Sequence, residues 1–175
     1  MADSSASGAA TAGVGDLGGF APPKPKLDFM ARFTVDLTAP VFELGETSAL
    51  GRRRIIPITG GRFEGPMLNG VIENNGADWQ VVTPDGVAII DTRYVLRLDD
   101  GAYAYLQTRG LRHGPPEVIA EVAKGNPVDP ATYYFRVTLT FETASERYAW
   151  LNRALAIGCA MRLGQAVVYD AYLIG

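Results

Sequence analysis

Short runs of alternating apolar and polar residues, separated by turn residues, constrain the fold of this chain more than any other feature. From Leu27 onward they recur with turns every ~8–12 residues, which is typical of an all-β sandwich or barrel. In the clearest pair, residues 85–110, two runs rich in β-branched and aromatic residues flank the turn sequence LDDG and predict a hairpin. Because a barrel leaves no exposed sheet edge, we predict a single closed antiparallel β-barrel, of lipocalin or allene-oxide-cyclase size.

The predicted strands cover most of the chain after residue 26. In chain order they are 27–37, 53–59, 67–73, 79–83, 87–98, 102–109, 132–143 and 166–174. Residues 60–66 are interpreted as a bend and 74–78 as a turn. Residues 115–125 predict one short helix, because proline opens the segment and glycine ends it. Residues 146–152 are predicted as a turn or a single helical turn, followed by another strand.

The first 26 residues differ in composition from the rest. They are mostly Ala, Gly, Ser and Pro, which bury too little apolar area to offset the entropy of ordering, so we predict a flexible tail at 1–26 and one barrel domain at 27–175. The N-terminus lacks the basic and apolar regions of a signal peptide. No apolar run approaches the ~18–20 residues of a membrane span. We therefore expect no membrane association and a cytoplasmic location.

Charge and metal-ligating residues exclude several function classes. The net charge is −3 and the only basic run is 51–56, which argues against a nucleic-acid partner. The single cysteine, Cys159, is interpreted as a small buried hydrophobe, and the single histidine, His113, is placed in a loop. A structural zinc site needs about four such ligands. No nucleotide, haem or flavin motif is present, so we predict neither a metal site nor an organic cofactor.

Six motifs in a fixed order give this chain a family resemblance. They are GGRFEGP, GADWQ, DGVAIIDTRYVLRLDDGA, YYFR, FET and RYAWLN. From about Leu27 to Tyr172 the chain resembles the domain-of-unknown-function family 3237, also called uncharacterised protein family 0311. The resemblance implies a compact β-barrel that is often packed as an oligomer, and it implies no assigned chemistry. Together with the candidate swapped arm at 1–26, it predicts a homodimer or a higher homo-oligomer.

The strand at 88–96 has two different faces. One holds Ala88, Ile90, Thr92, Tyr94 and Leu96, and the other places Asp91 and Arg93 among aliphatic residues. Charged groups between apolar ones suit the wall of a ligand cavity. The strand at 134–142 offers Arg136 and Glu142 in the same way. The alternative is that Asp91 with Arg93, and Arg136 with Glu142, are surface ion pairs.

These patterns predict a barrel that binds a small molecule in its interior. We predict a cofactor-independent acid–base enzyme (a lyase, isomerase or hydrolase) acting on a small aromatic or oxygenated metabolite. The alternative is a non-catalytic ligand carrier or a structural or interaction barrel. The candidate catalytic residues are Asp91, Arg93, Arg136, Glu142 and Asn152. The candidate ligand-binding residues are Trp79, Tyr94, Tyr134, Tyr148 and Trp150.

Overall fold

The computed structural model describes residues 21–175, which form twelve β-strands and one α-helix. The strands are β1 (Leu27–Asp36), β2 (Phe42–Ser48), β3 (Gly51–Ile58), β4 (Gly60–Glu64), β5 (Gly70–Ile72), β6 (Gly76–Asp78), β7 (Val81–Val82), β8 (Ala88–Leu98), β9 (Tyr103–His113), β10 (Tyr134–Thr143), β11 (Ala156–Arg162) and β12 (Ala166–Ile174). The helix α1 spans Pro116–Lys124, and short 3₁₀ turns occupy Pro130–Thr132 and Ala149–Arg153. The predicted all-β class is confirmed.

Eight of the described strands close into an antiparallel barrel. Neighbouring strands pair in the order β8, β5, β4, β1, β12, β11, β10 and β9, and the β8–β9 hairpin completes the ring. Strands β6 and β7 continue the wall below β5 along the same edge of β8, and β3 pairs with both of them. Strand β2 pairs with β3. The predicted closed antiparallel barrel is confirmed.

Large apolar side chains fill one half of the barrel interior. Strict alternation of buried and exposed residues along β8 and β10 sends every second side chain inward. Phe33 is fully buried, and its ring stacks on Phe63 with centroids 4.9 Å apart and on Tyr169 at 4.7 Å. Other fully buried side chains in the core are Met30, Ile58, Leu68, Leu96, Leu106, Leu139 and Leu151. The packed core therefore extends up to an interior cavity, which Ile58 and Tyr169 also line.

The structure corrects four element predictions. Residues 60–66 are not a bend, because Gly60–Glu64 forms β4 and pairs with β1. Gly61 makes this possible, since a Cβ there would lie 2.1 Å from the carbonyl oxygen of Thr34. Residues 74–78 are not only a turn, because they end in β6. Strand β9 runs to His113 instead of ending at 109, and β2 was not predicted.

A bulge in β1 changes which side chains face the core. The pairing of β1 with β12 shifts register between Phe29 and Ala31. Phe29 is consequently exposed, whereas both Met30 and Ala31 are buried. The alternation of buried and less buried residues in β1 is therefore regular only after the bulge.

Cys159 is not the buried hydrophobe that the sequence predicted. It is exposed on the outer face of β11, because the inward positions of that strand are Ala156, Gly158 and Ala160. His113 is the exposed last residue of β9 rather than a loop residue.

The predicted tail lies mostly outside the described residues. Residues 21–26 are exposed and have no regular secondary structure. In the part of the chain that the structure describes, no helix is long and apolar enough to cross a membrane. The division into tail and barrel domain, the homo-oligomer and the cytoplasmic location stay predictions.

Candidate functional site

Buried charged side chains meet at one end of the barrel interior. We call this the arginine end and define it by Arg54 of β3, Asp78 of β6, Gln80, Arg112 of β9 and Arg162 of β11. Among residues 21–175, Asp78 is the only carboxylate and Arg112 the only cation in the buried class, each 8% exposed. Arg54 and Arg162 are half-buried beside them. Buried charges are rare in protein cores unless they are paired or functional, so this end is the candidate site.

A cavity of about 50 Å³ lies between the arginine end and the packed half of the barrel. A single water needs roughly 10–15 Å³, so the cavity has room for a few solvent-sized groups. Its lining is mostly apolar, with one carboxylate and four hydroxyls. The lining residues are Val35, Leu37, Ile58, Asp78, Ile90, Thr92, Tyr94, Thr108, Phe135, Val137, Ala160, Val167 and Tyr169. An apolar pocket with a few polar groups is typical of a small-molecule site.

The four hydroxyls of the cavity form two pairs. The Thr92 and Thr108 Oγ1 atoms are 2.6 Å apart across the β8–β9 hairpin. The Tyr94 and Tyr169 hydroxyl oxygens are also 2.6 Å apart, across the barrel. Burial raises the pKa of both tyrosines, so they stay protonated at neutral pH. The cavity wall therefore carries neutral hydroxyl groups, and each pair leaves one O–H donor unused, because only one hydrogen lies between its two oxygens.

A directed chain of hydrogen bonds holds the Asp78 carboxylate. The Arg54 Nε donates to Gln80 Oε1 at 2.8 Å, and Gln80 Nε2 donates to Asp78 Oδ2 at 2.7 Å. The backbone N–H of Asp91 donates to Asp78 Oδ1 at 3.1 Å. Because a carboxylate offers about four acceptor positions, two of them are not used by these donors. The chain fixes the orientation of Asp78 without using up its acceptor capacity.

Arg112 has no such support. Its guanidinium lies over the Phe135 ring, 5.7 Å from the centroid. The buried Nε has no hydrogen-bond partner among the described residues, and no carboxylate there lies within the 4 Å of an ion pair. Burial, followed by the charges of Arg54 and Arg162, lowers the pKa of Arg112 to about 10. Arg112 is therefore still a cation at neutral pH, but a poorly compensated one.

Burial raises the pKa of the Asp78 carboxyl, and its hydrogen bonds and the nearby Arg112 oppose that shift only in part. The folded protein therefore holds a proton at Asp78 at pH values where the unfolded chain has released it. Stability falls as the pH rises from the usual carboxyl pKa of about 4 to the raised folded value.

We therefore expect the Asp78→Asn variant to gain stability relative to the parent as the pH rises through this interval, since an amide does not titrate. Urea unfolding followed from pH 3 to pH 8 measures the difference. Asp85→Asn is the control. The Thr83 hydroxyl lowers the pKa of Asp85, so this variant should lose stability relative to the parent as the pH rises. A difference between parent and Asp78→Asn that is independent of pH would contradict the prediction.

The structure places Asp91 and Arg93 on the outer face of β8. Arg93 Nη1 lies 3.2 Å from Asp91 Oδ2, and Arg109 Nε lies 3.6 Å from Asp91 Oδ1. The Asp91 side chain is 30% exposed and does not line the cavity. The structure agrees with the alternative interpretation of this face, in which Asp91 and Arg93 form a surface ion pair. Their catalytic role stays a prediction, but their position separates them from the interior.

Arg136, Glu142 and Asn152 also lie on the outside. Arg136 and Glu142 share the exposed face of β10 but are six residues apart, which is about 20 Å at roughly 3.3 Å per residue. The ion pair suggested for them is therefore wrong. Asn152 bonds both backbone groups of Thr143, accepting from its N–H at 2.8 Å and donating to its carbonyl at 2.9 Å. This arrangement gives Asn152 a structural role in a loop.

The five predicted ligand-binding aromatics are dispersed, and only Tyr94 lines the cavity. Trp79 lies under Arg93 on the outer face, at 5.6 Å. Tyr134 is exposed and stacks on His113, at 4.9 Å between centroids. Tyr148 is buried and donates to Asp99 Oδ1 at 2.7 Å, away from the arginine end, and Trp150 is partly exposed. The aromatic pocket expected from the sequence is not assembled.

The two central residues of the arginine end were not among the sequence candidates. Asp78 belongs to a segment interpreted as a turn, and the predicted strand 102–109 ended before Arg112. One signal was available: Arg112 continues the two-residue period of the inward residues Ala104, Leu106 and Thr108. An arginine in phase with the apolar face of a strand indicates an inward charge. No group of three or more His, Cys, Asp and Glu side chains in residues 21–175 is arranged to hold a metal ion.

Comparisons with known proteins agree with the barrel. The model of a family described as "Protein of unknown function (DUF3237)" matches residues 25–174. A solved beta-barrel-like protein from Acinetobacter baumannii is 59% identical with a TM-score of 0.80, over 89% of this chain and 99% of that one. A UPF0311 protein from Clostridium acetobutylicum is 40% identical over 141 residues, 81% of this chain and 89% of the relative.

A more distant solved structure has the same fold. It is a protein described as an enzyme from Penicillium herquei, 23% identical with a TM-score of 0.64, over 90% of this chain and 99% of that one. At that identity the likeness concerns the fold alone.

Proposed function

This chain belongs to the DUF3237 family of proteins of unknown function, and we propose that its barrel binds a small oxygenated organic molecule in the cavity beside the arginine end. We further propose cofactor-independent acid–base chemistry on that molecule, of the kind that lyases, isomerases and hydrolases use. In this proposal Asp78 transfers the proton and Arg112 stabilises the negative charge that develops on a ligand oxygen.

One observation carries the proposal: a buried carboxyl with a raised pKa faces an apolar cavity. A general acid–base works best when its pKa lies close to the working pH, and burial shifts a carboxyl in that direction. The bonds from Gln80 and the Asp91 N–H fix the direction in which Asp78 points. A fixed carboxyl in a water-poor site is prepared for proton transfer before the ligand arrives.

The position of Arg112 supports the same chemistry. Its guanidinium lies over Phe135, which lines the cavity, and it has spare donor capacity among the described residues. Removing a proton from a carbon next to a carbonyl places negative charge on the carbonyl oxygen. A preorganised cation near that oxygen stabilises the charge more in the transition state than in the ground state.

A ligand carrier is the second candidate function. It is favoured by the mostly apolar lining of the cavity. A carrier needs burial of apolar ligand surface and does not need a titrating carboxyl. Asp78 therefore separates the two functions.

A thermal-shift screen followed by hydrogen exchange tests the proposal. Small phenols, enones and hydroxy acids are screened first, because a ligand that binds only the folded state raises the unfolding midpoint. Each hit is then incubated with the protein in D₂O, and ¹H NMR records loss of carbon-bound protons or conversion. We expect Asp78→Asn to keep the thermal shift and to lose at least 100-fold in the exchange or conversion rate, within the range typical of general acid–base catalysis.

Asp91→Asn is the matched control, because Asp91 lies on the adjacent strand β8 but faces outward. It should behave as the parent in both measurements. Loss of turnover in Asp91→Asn with normal turnover in Asp78→Asn would show that the reaction takes place on the outer face of the barrel. Binding without turnover in any protein would support the carrier, and no binding across the whole screen would contradict an interior ligand site.

A further inference from the structure

The arginine end holds more positive charge than its own carboxylates neutralise. Arg54, Arg112 and Arg162 lie close enough for their charges to act on one another. The one carboxylate buried with them in the described chain is Asp78. Glu43 is more exposed and is shared between two arginines, since its Oε1 lies 3.8 Å from Arg54 Nη1 and its Oε2 lies 3.9 Å from Arg52 Nη1. An excess of positive charge is left at the arginine end, where Arg112 lies over Phe135, a residue of the cavity lining.

Arg112 carries most of that excess. Arg54 has Gln80 and Glu43 as partners, and Arg162 donates from Nη1 to the Ala166 carbonyl at 2.9 Å. Within the described residues the guanidinium of Arg112 makes no hydrogen bond or ion pair, its Nε is completely buried, and Asp78 favours its charged form only through electrostatic attraction. An unpaired buried cation lowers stability, and such groups are normally hydrogen-bonded or paired. A binding partner from outside the chain would explain why this site contains an unpaired buried cation.

We infer that the ligand of the cavity is a small organic carboxylate, with its carboxylate group on Arg112 and its apolar part among Ile90, Phe135 and Val137. The inference rests on the proposed function, because it names the ligand class of the same site. A planar guanidinium matches a planar carboxylate through paired N–H···O bonds, and both charges are then compensated. The apolar lining beyond Phe135 accommodates the rest of an organic acid.

Inorganic phosphate fits this site less well. Its oxygens point in tetrahedral directions and need donors on several sides. The two hydroxyl pairs of the cavity offer at most one free O–H donor each, and the remaining lining is apolar apart from Asp78. The small cavity also favours short acids over large ones.

Matched pairs of acids and amides test the ligand class. Acetate, butyrate and benzoate are compared with acetamide, butyramide and benzamide by thermal shift and calorimetric titration, at pH 7 and constant ionic strength, with inorganic phosphate as the bare anion. Each amide has nearly the shape of its acid but lacks the charge. We expect at least one acid to bind with a Kd at least tenfold lower than that of its amide, and lower than that of phosphate.

Two variants show where the preference arises. Arg112→Met should abolish the difference between acid and amide, and Arg112→Lys should restore part of it. Arg109→Met, on the outer face of the same strand, should leave it unchanged. Equal binding of acid and amide, a preference for phosphate, or a preference that survives in Arg112→Met overturns the inference. So does the absence of binding by all three acids.

The proposed function is judged separately. It stands if neutral phenols or enones bind and are converted in an Asp78-dependent reaction while the acids fail.

Discussion

Replacing Arg112 by methionine should stabilise the ligand-free protein by about 1–4 kcal/mol in the free energy of unfolding. Exchanging a buried charge for an apolar residue of similar volume is often neutral or stabilising by this amount, because the desolvation penalty disappears. Here the compensation is also weak, since within the described residues the Arg112 guanidinium forms no hydrogen bond or ion pair and Asp78 favours it only through electrostatic attraction. The methionine side chain can keep the contact with Phe135. Urea unfolding of the ligand-free proteins measures the change.

Arg109→Met is the control for this substitution. Arg109 lies on β9 like Arg112, but its side chain is 67% exposed, so its removal should change stability by less than about 0.5 kcal/mol. If Arg112→Met is instead less stable than the parent, the barrel itself compensates the guanidinium, and the argument for an external carboxylate loses its basis. If Arg112→Met is more stable than the parent but no longer binds the ligand, Arg112 lowers the stability of the parent in exchange for ligand binding.

Phe33→Ala should have the largest effect on stability, a loss of about 3–5 kcal/mol. Phe33 is fully buried between the stacked rings of Phe63 and Tyr169, so truncation leaves a cavity and removes two ring contacts. For a chain of this length the midpoint of thermal unfolding should fall by roughly 6–20 °C. Calorimetry and denaturant titration together check the value.

Phe42→Ala is the matched control, because Phe42 in β2 is 62% exposed. It removes the same atoms without opening a core cavity, so it should stay within about 0.5 kcal/mol of the parent. Equal losses in the two variants would contradict the placement of Phe33 in the centre of the barrel.

The alternation of residues was enough to predict the barrel, but not to locate its site. In β8 the sequence separates two faces correctly, and the structure shows that Ala88, Ile90 and Leu96 point inward. A barrel of eight strands is narrow, so its interior is filled mainly by the apolar face. The mixed face with Asp91 and Arg93 therefore lies outside. To decide which of the two faces of β8 points inward, one must know how the sheet curves, and the sequence of a single strand does not show this.

Asp78 and Arg112 were missed for a different reason. Each lies at the end of a strand, where boundaries predicted from sequence are least reliable. A glycine lies two residues before each of them (Gly76 and Gly110), yet both glycines lie within strands. A Cβ at Gly110 would be 2.0 Å from the Arg136 carbonyl oxygen, so this glycine serves close packing between β9 and β10. Such a contact is long-range and leaves no local pattern in the sequence.

The pairing of β1 with β12 also determines when the barrel can close. Leu27 pairs with Ile174, so this contact joins segments from opposite ends of the described chain. During synthesis β4 follows β1 closely and can pair with one edge of β1. The other edge of β1 stays unpaired until β12 has been synthesised. Until then that edge presents unpaired backbone groups to other chains. The fold therefore favours late, slow closure, and a nascent chain is most open to aggregation just before its last strand is complete.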